Sequence, residues 1–360
     1  MSNKEGQDLP SFRFALEKQE PRIGPGGVTR GASAVEFPVS KGIAGVSMRL
    51  EPGGLRELHW HANAAEWAYV ISGRCRTTIL HPSGDTATDD FGPGDVWYFP
   101  RGYGHSIQGL GPGECHFILS FDNGYFSEDH TFSITDWVAH TPSSVVARTL
   151  GLTGEDDVAQ FPKGEVYFAQ GPVPAPELGN RETRPQSTLA MERPSLMTTH
   201  RYPLMAQSPR KLAGGTLRLV TAEVFPISTT MAGAILELEP GAIREMHWHP
   251  NADEWQYYIT GTARMSVFMA QGNAETVEFE AGDVGYAPQG SGHYIENTGD
   301  DVCRVLLTFN KGNYQEIGLT EWVASNATQL VATNFQVPEA VAAHLPRDGR
   351  FLVPPSDAPH

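Results

Sequence analysis

Three histidines and one glutamate in the first half of the chain are spaced as ligands of a metal ion. His59 and His61 are separated by one residue, and side chains two positions apart in a β-strand point to the same face. With Glu66 and His105 they offer three imidazole nitrogens and one carboxylate oxygen. This set fills four positions of an octahedron and leaves two neighbouring positions open for a ligand. The spacing therefore predicts a metal centre, although these ligand types suit manganese, iron, cobalt, nickel and zinc alike.

The same set occurs a second time, 188 residues further on, as His247, His249, Glu254 and His293. A single His-x-His pair is more often a surface pair than a metal site. A repeat of all four ligands at one constant shift is far more specific, and it predicts two metal sites in the chain.

The repeated ligands belong to a duplication that spans most of the sequence. The tripeptide EPG at 51–53 recurs at 239–241, and the register continues without a gap to Phe121 and Phe309. Copies of this length are homologous domains rather than short repeat units.

The boundaries of the two domains follow from where the copies diverge. Trp137 matches Trp322 at a shift of only 185, so the first copy carries three extra residues in the preceding loop. We predict an N-terminal domain over 1–170, a Pro-rich arm over 171–198 and a C-terminal domain over 199–360.

Within each copy, short runs of alternating apolar and polar residues are separated by turns. The chain contains 38 glycines and 27 prolines, which suits a β-rich fold. Strand length and turn spacing indicate a small antiparallel barrel or jelly roll in each copy. The predicted fold class is all-β, with two tandem barrels and short flanking helices.

The formal net charge of −16 restricts the partners of the protein. It argues against nucleic acid and anionic membranes, and an anionic substrate must be attracted by local cations. No apolar run is long enough to span a bilayer, and the first ten residues lack the apolar core of a signal peptide. Cys75, Cys115 and Cys303 are too few for a disulfide framework, so we expect buried strand thiols and a cytoplasmic protein.

Glycines placed around the ligands complete two motifs of a known superfamily. The first, G-x5-H-x-H-x4-E-x6-G, ends at Gly73 in one copy and at Gly261 in the other. The second, G-x5-P-x-G-x2-H-x3-N, is complete around His293, whereas Gly109 replaces the asparagine in the first copy. Both motifs resemble those of the cupin superfamily, and this resemblance implies a double-stranded β-helix, or jelly roll, in each copy.

Longer segments narrow the resemblance to the two-cupin oxalate decarboxylases. They include RELHWH, EWAYVISG and FSEDHTFSITDWVAHTP in the first copy and REMHWHPNADEWQYYITG in the second. The resemblance covers nearly the whole chain. It implies Mn²⁺ in both barrels, dioxygen as a co-catalyst, and conversion of oxalate into formate and carbon dioxide. It further implies a homo-oligomer, either a trimer or a hexamer.

Arg56 and Arg244 each precede the first histidine of their copy by three residues. Strict alternation would place them on the outer face of the strand, so a bend or bulge is needed to turn them towards the metal. A position on the surface is the alternative. The resemblance places each arginine at a carboxylate of the substrate, which a planar guanidinium can bind through two hydrogen bonds.

Glu128 lies in the loop where the two copies differ in length. The family carries a mobile lid here with a proton-transferring glutamate, and the resemblance implies that role for Glu128. The family lid usually reads SENST, whereas this chain reads SEDHT, with Asp129 and His130 in the middle. His130 and the nearby His140 receive no role.

The second copy departs from the family at one further position. A glutamate expected fourteen residues after the last histidine ligand is replaced by Leu307, which cannot transfer a proton. We therefore expect catalysis in the first barrel and a structural or electron-reservoir role for the second. Trp60 and Trp248 lie between their histidines and point away from the cavity, towards the core or an interface. The resemblance implies that such indoles stack across a subunit boundary.

Two other functions stay open at this point. An oxalate oxidase uses the same metal and substrate but releases hydrogen peroxide and carbon dioxide. A non-catalytic metal-binding cupin would hold the metal without turning over oxalate, but it gives no reason for the extra residues in the first copy.

Overall fold

The structure is a computed structural model that describes residues 10–175, 181–183 and 199–355. The predicted Pro-rich arm, 171–198, therefore lies outside the described residues except at 171–175 and 181–183. The strands of the first half are β1 (Arg13–Phe14), β2 (Arg22–Gly24), β3 (Gly27–Ala32), β4 (Ala44–Leu50), β5 (Gly54–Trp60), β6 (Glu66–Ser72), β7 (Cys75–Leu80), β8 (Thr86–Phe91), β9 (Val96–Phe99), β10 (Gly104–Gly109), β11 (Cys115–Phe121), β12 (Phe132–Ser133), β13 (Phe168–Gln170) and β14 (Arg181–Thr183). Those of the second half are β15 (Arg201–Tyr202), β16 (Arg210–Leu212), β17 (Gly215–Val220), β18 (Ala232–Leu238), β19 (Ile243–Trp248), β20 (Glu254–Thr260), β21 (Thr262–Phe268), β22 (Ala274–Glu280), β23 (Val284–Ala287), β24 (Gly292–Asn297), β25 (Cys303–Phe309), β26 (Ile317–Gly318) and β27 (Leu352–Val353). The α-helices are α1 (Ile134–Ala139), α2 (Ser143–Leu150), α3 (Glu155–Val158), α4 (Leu319–Ala324), α5 (Thr328–Phe335) and α6 (Glu339–Ala342).

The strands form four antiparallel sheets, two in each half of the molecule. In the first half the strand orders are β15-β9-β6-β11-β4-β3-β2 and β12-β5-β10-β7-β8-β14, with β13 also paired to β5. In the second half they are β1-β23-β20-β25-β18-β17-β16 and β22-β21-β24-β19-β26, with β27 also paired to β19. Each half is a jelly-roll barrel followed by three short helices. The prediction of an all-β fold with two tandem barrels and short flanking helices is confirmed.

One sheet of the first barrel is apolar on both faces because it also packs against the second barrel. Along β6, Ala68 and Val70 belong to the core of the first barrel. The alternate residues Trp67 and Tyr69 belong to a cluster made mainly of second-barrel side chains. Every residue of β6 up to Val70 is therefore buried, as expected for a strand covered on two sides.

The first strands of the two copies are exchanged between the barrels. β1 pairs with β23 of the second barrel, where Arg13 lies opposite Gly285. β15 pairs with β9 of the first barrel, where Arg201 lies opposite Trp97. The two barrels are thus interlocked by backbone hydrogen bonds as well as by apolar packing.

The contact between the barrels has approximate two-fold symmetry. Trp67 packs on Gly233 and Trp255 packs on Gly45, where added Cβ atoms would lie 2.4 Å and 2.1 Å from the indole rings. Side chains of this size fit only because both partners are glycines. The Thr308 hydroxyl donates to Ser120 Oγ at 3.1 Å, joining two residues 188 positions apart.

The glycines that close the first cupin motif follow β6 and β20. Gly73 and Gly261 have φ values of 73° and 84°, a left-handed conformation that side chains disfavour. A Cβ at Gly73 would also lie 2.2 Å from the carbonyl oxygen of Glu114. The turn that follows the ligand-bearing strand therefore requires glycine.

The cysteines behave as predicted, since Cys75, Cys115 and Cys303 are buried and unpaired in β7, β11 and β25. Among the described residues, none of the helices has the length and apolar character needed to cross a membrane.

Candidate metal centres

The fold brings the first predicted ligand set together inside the first barrel. His59 lies on β5 opposite His105 on β10, His61 follows β5, and Glu66 begins β6. One ligand atom from each of the four lies within 4.8 Å of the others, and all four side chains are buried. The histidine Nε2 atoms of His105 and His61 are 3.4 Å and 3.8 Å from Glu66 Oε2.

The protonation of the histidines suits a metal ion. Nδ1 of His59 donates to the carbonyl of Glu57 at 2.7 Å, and Nδ1 of His105 donates to that of Tyr103 at 2.9 Å. Because the proton is on Nδ1, the lone pair on Nε2 is free to bind a metal ion. The buried Nε2 atoms of His59, His61 and His105 have no hydrogen-bond partner. Burial lowers the pKa of His59 and of His61 well below the usual range, so both rings are neutral and able to coordinate.

The second ligand set is arranged in the same way. His247 on β19 lies opposite His293 on β24, and the four ligand atoms again lie within 4.8 Å of one another. Nδ1 of His247, His249 and His293 donates to a backbone carbonyl at 2.7, 3.0 and 3.1 Å. Although burial alone would raise it, the adjacent imidazoles of His249 and His293 hold the pKa of Glu254 well below its usual range. Both sets therefore fit a divalent cation.

The two carboxylate ligands are held by different partners. Glu66 Oε1 accepts from Trp97 Nε1 at 2.6 Å, whereas Glu254 Oε1 accepts from Gln256 Nε2 at 2.7 Å. The position equivalent to Trp97 in the second barrel is Gly285. A Cβ there would lie 2.5 Å from Gln256 Oε1, so glycine makes room for the amide. Outer partners of this kind fix the orientation of a metal ligand.

Both arginines reach the interior through the bulge that their spacing required. Between β5 and β10 the register shifts, so that His59 lies opposite His105 but Arg56 lies opposite Ile107. The same shift separates Arg244 from His247. Arg56 is 0% exposed and Arg244 is 3% exposed, which rules out the surface position that was the alternative.

The Glu128 carboxylate lies next to the first ligand set. Glu128 begins a short 3₁₀ helix, Glu128–His130, and its side chain is 5% exposed. Oε1 accepts from Arg56 Nε at 2.9 Å, and Oε2 lies 3.5 Å from His61 Nε2. Burial raises the pKa of Glu128 to about 7, against the lowering effect of the Arg56 charge. The group can therefore hold or release a proton near neutral pH.

Unpaired polar atoms converge in front of the first ligand set. Arg56 Nη1 and Glu128 Oε2 are buried without a hydrogen-bond partner, as are the three histidine Nε2 atoms. Such groups are costly unless something binds them. Arg56 is otherwise fixed, because Nη2 donates to Thr131 Oγ1 at 2.8 Å and the guanidinium lies 3.9 Å from the centre of the Tyr167 ring. The arrangement suits a cation together with a small anion.

A carboxylate of the second barrel was missed by the sequence reasoning. Arg244 Nη2 donates to Glu316 Oε2 at 2.7 Å, and Glu316 is 31% exposed. Glu316 follows Glu128 by 188 residues, so the shift of the duplication would have found it. Leu307, where a glutamate was expected, is buried on β25 opposite Gln256.

The equivalence of Glu128 and Glu316 also locates the extra residues of the first copy. β12 begins at Phe132 and β26 begins at Ile317, so three residues separate Glu128 from β12 and none separates Glu316 from β26. The insertion is Asp129, His130 and Thr131.

The remaining residues singled out in the sequence lie on the outer side. Trp60 stacks on Phe132 with ring centres 5.4 Å apart, and Trp248 meets Trp322 edge to face at 5.5 Å. His140 Nδ1 donates to the carbonyl of Asp136 at 2.9 Å, and His130 is exposed at the end of the 3₁₀ helix. Neither histidine contacts the ligands.

Residues 14–158 and 204–342 both match the cupin family. With two jelly-roll barrels that each enclose a histidine and glutamate set, the chain belongs to the cupins, and within them to the oxalate decarboxylase family. It is 43% identical over 316 residues to the oxalate decarboxylase OxdC of Bacillus subtilis (strain 168), covering 88% of this chain and 80% of that protein. It is 32% identical over 375 residues to an oxalate decarboxylase of Arthroderma benhamiae, covering 96% of this chain and 84% of that protein. A solved structure of the Bacillus subtilis enzyme, described for its Mn(II) centres, superimposes with a TM-score of 0.88 at 38% identity, covering 97% of this chain and 90% of that one.

Proposed function

We propose that this protein converts oxalate into formate and carbon dioxide at the first barrel, with Mn²⁺ and dioxygen. The observation that carries the proposal is the buried Glu128 carboxylate, which pairs with Arg56 and lies 3.5 Å from His61 Nε2. An ion pair at the mouth of a ligand set places a substrate anchor and a proton carrier at one position.

Each barrel holds one Mn²⁺ in this proposal. The ligands are His59, His61, Glu66 and His105 in the first barrel, and His247, His249, Glu254 and His293 in the second. When bound, the ion supplies a Lewis-acidic and redox-active position for the substrate and for dioxygen.

Arg56 binds and orients the substrate. Its Nη1 is buried and free, while Thr131 and Tyr167 fix the rest of the guanidinium. A charge-assisted hydrogen bond to oxalate would satisfy Nη1. Because the guanidinium is held on several sides, a bound carboxylate has little rotational freedom at this end.

Glu128 supplies the proton that distinguishes decarboxylation from oxidation. Conversion of the oxalate dianion into formate and carbon dioxide consumes one proton, which ends on carbon. Burial raises the pKa of Glu128 to about 7, so the carboxyl carries a proton at neutral pH or slightly below it and can release it. An acid of matched pKa, placed within reach of the reacting atom, is an efficient general acid. Burial of the closed lid also excludes bulk water from this transfer.

The second barrel has a structural or electron-reservoir role in this proposal. Its arginine Arg244 pairs with Glu316, but that carboxylate is 31% exposed and is open to exchange with water. The buried proton carrier of the first barrel has no counterpart among the described residues around the second ligand set.

One assay tests this function against the two alternatives. Protein loaded with manganese is given oxalate in air, and formate and hydrogen peroxide are measured in the same tube, with the metal content determined separately. We expect about two Mn per chain and formate as the main product. Peroxide as the main product would make the protein an oxalate oxidase. Two bound metal ions without turnover would make it a metal-binding cupin.

We further infer a homo-oligomer, a trimer or a hexamer. Each barrel exposes an apolar patch from duplicated positions: Leu58, Leu80 and Trp137 on the first, and Met246, Phe268 and Trp322 on the second. Each of these six side chains is about half exposed or more, which is unusual for a surface that stays in water. Since the patches occupy the same face of each barrel, a first-barrel patch meeting the second-barrel patch of the next copy can close a ring. Light scattering after size exclusion tests this, and a monomer at micromolar concentration would contradict it.

A cytoplasmic location is the last part of the proposal. The three thiols are buried and unpaired, and burial raises the pKa of Cys303 to about 12. Such thiols form no disulfides and need no oxidising compartment. Fractionation of the native cells would test the location.

A further inference from the structure

A tyrosine ring next to the first centre lies between two arginines. The guanidinium carbons of Arg22 and Arg56 are 3.6 Å and 3.9 Å from the centre of the Tyr167 ring. One face of a ring cannot seat two guanidinium groups at these heights, so one arginine lies on each face. Tyr167 is 3% exposed and has a positive φ of 54°, a strained conformation for an aromatic residue. Its amide donates to Glu57 Oε1 at 2.9 Å, which holds this backbone in place.

The two arginines form ion pairs with two successive residues of the lid, the loop at 127–131. On the inner face Arg56 pairs with Glu128 at 2.8 Å. On the outer face Arg22 Nη1 donates to Asp129 Oδ1 at 2.9 Å. Arg56 is buried, whereas the Arg22 side chain is 37% exposed. The lid is therefore fastened from both sides of one aromatic ring, by one buried ion pair and one partly exposed ion pair.

In the second barrel only the inner arginine stacks closely on the corresponding ring, and among the described residues the outer arginine forms no ion pair. Arg244 lies 3.6 Å from the centre of the Phe351 ring, and Arg210 lies 6.0 Å from it. Arg210 follows Arg22 by 188 residues. Its barrel lacks the inserted residues 129–131, so nothing equivalent to Asp129 is there to be held. Within the part of the chain that the structure describes, the outer ion pair and the lid insertion thus occur together in the first barrel only.

We propose that Arg22 and Asp129 form an outer latch that holds the lid closed and keeps Glu128 over the first centre. Arg22 is a positioning residue, since it touches neither the ligand set nor the space in front of it. The inference deepens the proposed decarboxylase function: a closed lid keeps the proton carrier in place, so the latch favours formate over peroxide.

The expected size of the effect is small, and it should depend on salt. Exposed ion pairs change an equilibrium by roughly two- to five-fold. At ionic strengths approaching 1 M the screening length is about 3 Å, so the contribution should largely vanish. The buried pair between Arg56 and Glu128 is screened much less.

The test compares two variants that each remove one ion pair from Arg22. Asp129→Asn removes the pair with the lid. Glu165→Gln is the matched control, because Glu165 Oε2 accepts from Arg22 Nη2 at 2.8 Å but lies outside the lid. Hydrogen–deuterium exchange of the lid peptide around residues 127–131 measures how often the lid opens, in protein loaded with Mn²⁺ and without oxalate.

We expect Asp129→Asn to speed exchange of the lid amides by roughly two- to five-fold at low salt and to leave them unchanged from the parent near 1 M salt. Glu165→Gln should speed exchange of the lid amides less than Asp129→Asn does. In the double variant, Asp129→Asn should not speed exchange beyond the rate of Arg22→Gln alone, as expected for two residues that act as one pair. Equal effects of Asp129→Asn and Glu165→Gln, or no effect of Asp129→Asn, would overturn the latch.

A second readout connects the latch to the product. With oxalate in air, Asp129→Asn should lower the ratio of formate to peroxide at low salt and match the parent at high salt. Faster lid exchange in a protein that makes no formate at all would leave the latch standing and refute the proposed function. Unchanged lid exchange in Asp129→Asn, in a protein that makes formate, would refute the latch and leave the proposed function standing.

Discussion

The two centres share a frame of ligands and differ in what covers it. In both barrels a histidine pair faces across two strands and a bulge turns an arginine inward. In the first, the glutamate on that arginine is 5% exposed and lies 3.5 Å from His61 Nε2. In the second, Glu316 is 31% exposed. Among the described residues it has no contact under 4.0 Å with a histidine nitrogen.

The difference originates in three residues. Asp129, His130 and Thr131 extend the loop after Glu128 into a 3₁₀ turn. Thr131 then accepts from Arg56 at 2.8 Å, and Asp129 from Arg22 at 2.9 Å. Without them the second loop enters β26 directly after Glu316, and its carboxylate stays near the surface. A short insertion therefore accounts for the buried carboxylate over the first ligand set, and in the proposed function it separates the catalytic barrel from one with a structural or electron-reservoir role.

The largest effect should come from removing the carboxylate metal ligand of either barrel. Glu66→Ala should reduce formate production to the level of metal-free protein, because the first centre loses its charged ligand. Glu254→Ala should lower the metal content from two to one and destabilise the fold, with an indirect loss of activity. Metal analysis, thermal melting and formate assays on both variants test this. Equal residual activity in the two well-folded variants would contradict the division of roles.

Deleting residues 129–131 should make the first centre resemble the second. The variant keeps every ligand and Arg56 but loses the turn that buries Glu128, so its metal content should match the parent. Formate production should fall by roughly 10²–10⁴-fold, the usual contribution of a positioned acid–base group. Inserting Asp-His-Thr after Glu316 is the converse experiment and should leave the first centre unaffected. A deletion variant that makes formate at the parent rate would show that the insertion does not matter for the chemistry.

Exchanging Arg56 or Arg244 for lysine should also affect the two centres differently, but the loss of activity should be smaller. Lysine keeps the charge of Arg56 but loses its planar fork, and hydrogen bonds to charged groups contribute about 1.5–3 kcal/mol each. We expect kcat/KM for oxalate to fall by about 10–100-fold in Arg56→Lys. Arg244→Lys should change it by less than roughly two-fold. Steady-state kinetics at equal metal occupancy measures both changes. Equal losses of kcat/KM in the two variants would mean that both barrels bind substrate productively.

The smallest effect should be the contribution of Glu128 to the pH dependence of stability. Burial raises the pKa of Glu128 to about 7 in the folded protein, compared with about 4.3 in an unfolded chain. Between these values the folded state keeps a proton that the unfolded state has lost. The contribution of Glu128 to the stability of the metal-free protein should therefore fall as pH rises through this window, by an amount on the order of 1–3 kcal/mol.

Glu128→Gln is the matched variant for this measurement, because its amide does not titrate. Thermal melting of the metal-free parent and variant at pH 5 and pH 8 should show a pH-dependent difference between them. Glu316→Gln, on a partly exposed group, should track the parent. Parallel melting curves for the parent and Glu128→Gln would contradict the raised pKa of Glu128.

Much of the fold and the frame of ligands could be predicted because the signals are local or periodic. His59 and His61 are set by the two-residue period of a strand, and the duplication repeats every ligand. Glu316 could also have been predicted from the 188-residue shift, whereas the family pattern points to the position of Leu307.

Contacts between distant segments could not be predicted in this way. Arg22 and Asp129 are 107 residues apart, and no periodic pattern connects them. The exchange of β1 and β15 depends on how the barrels dock. The replacement of Trp97 by Gln256 as the carboxylate partner involves two positions, each of which is unremarkable alone. Such contacts are chosen by packing in three dimensions, where many sequences satisfy the same local rules.

The central claim is that the buried Glu128, and not the exposed Glu316, decides the product. The direct measurement compares Glu128→Gln with Glu316→Gln, each loaded with manganese and normalised to metal content, with formate and peroxide quantified from the same oxalate reaction. Glu128→Gln should make formate about 10²–10⁴-fold more slowly, while its peroxide production falls less or rises. Glu316→Gln should keep the parent ratio of the two products. Formate production at the parent rate by Glu128→Gln would contradict the account.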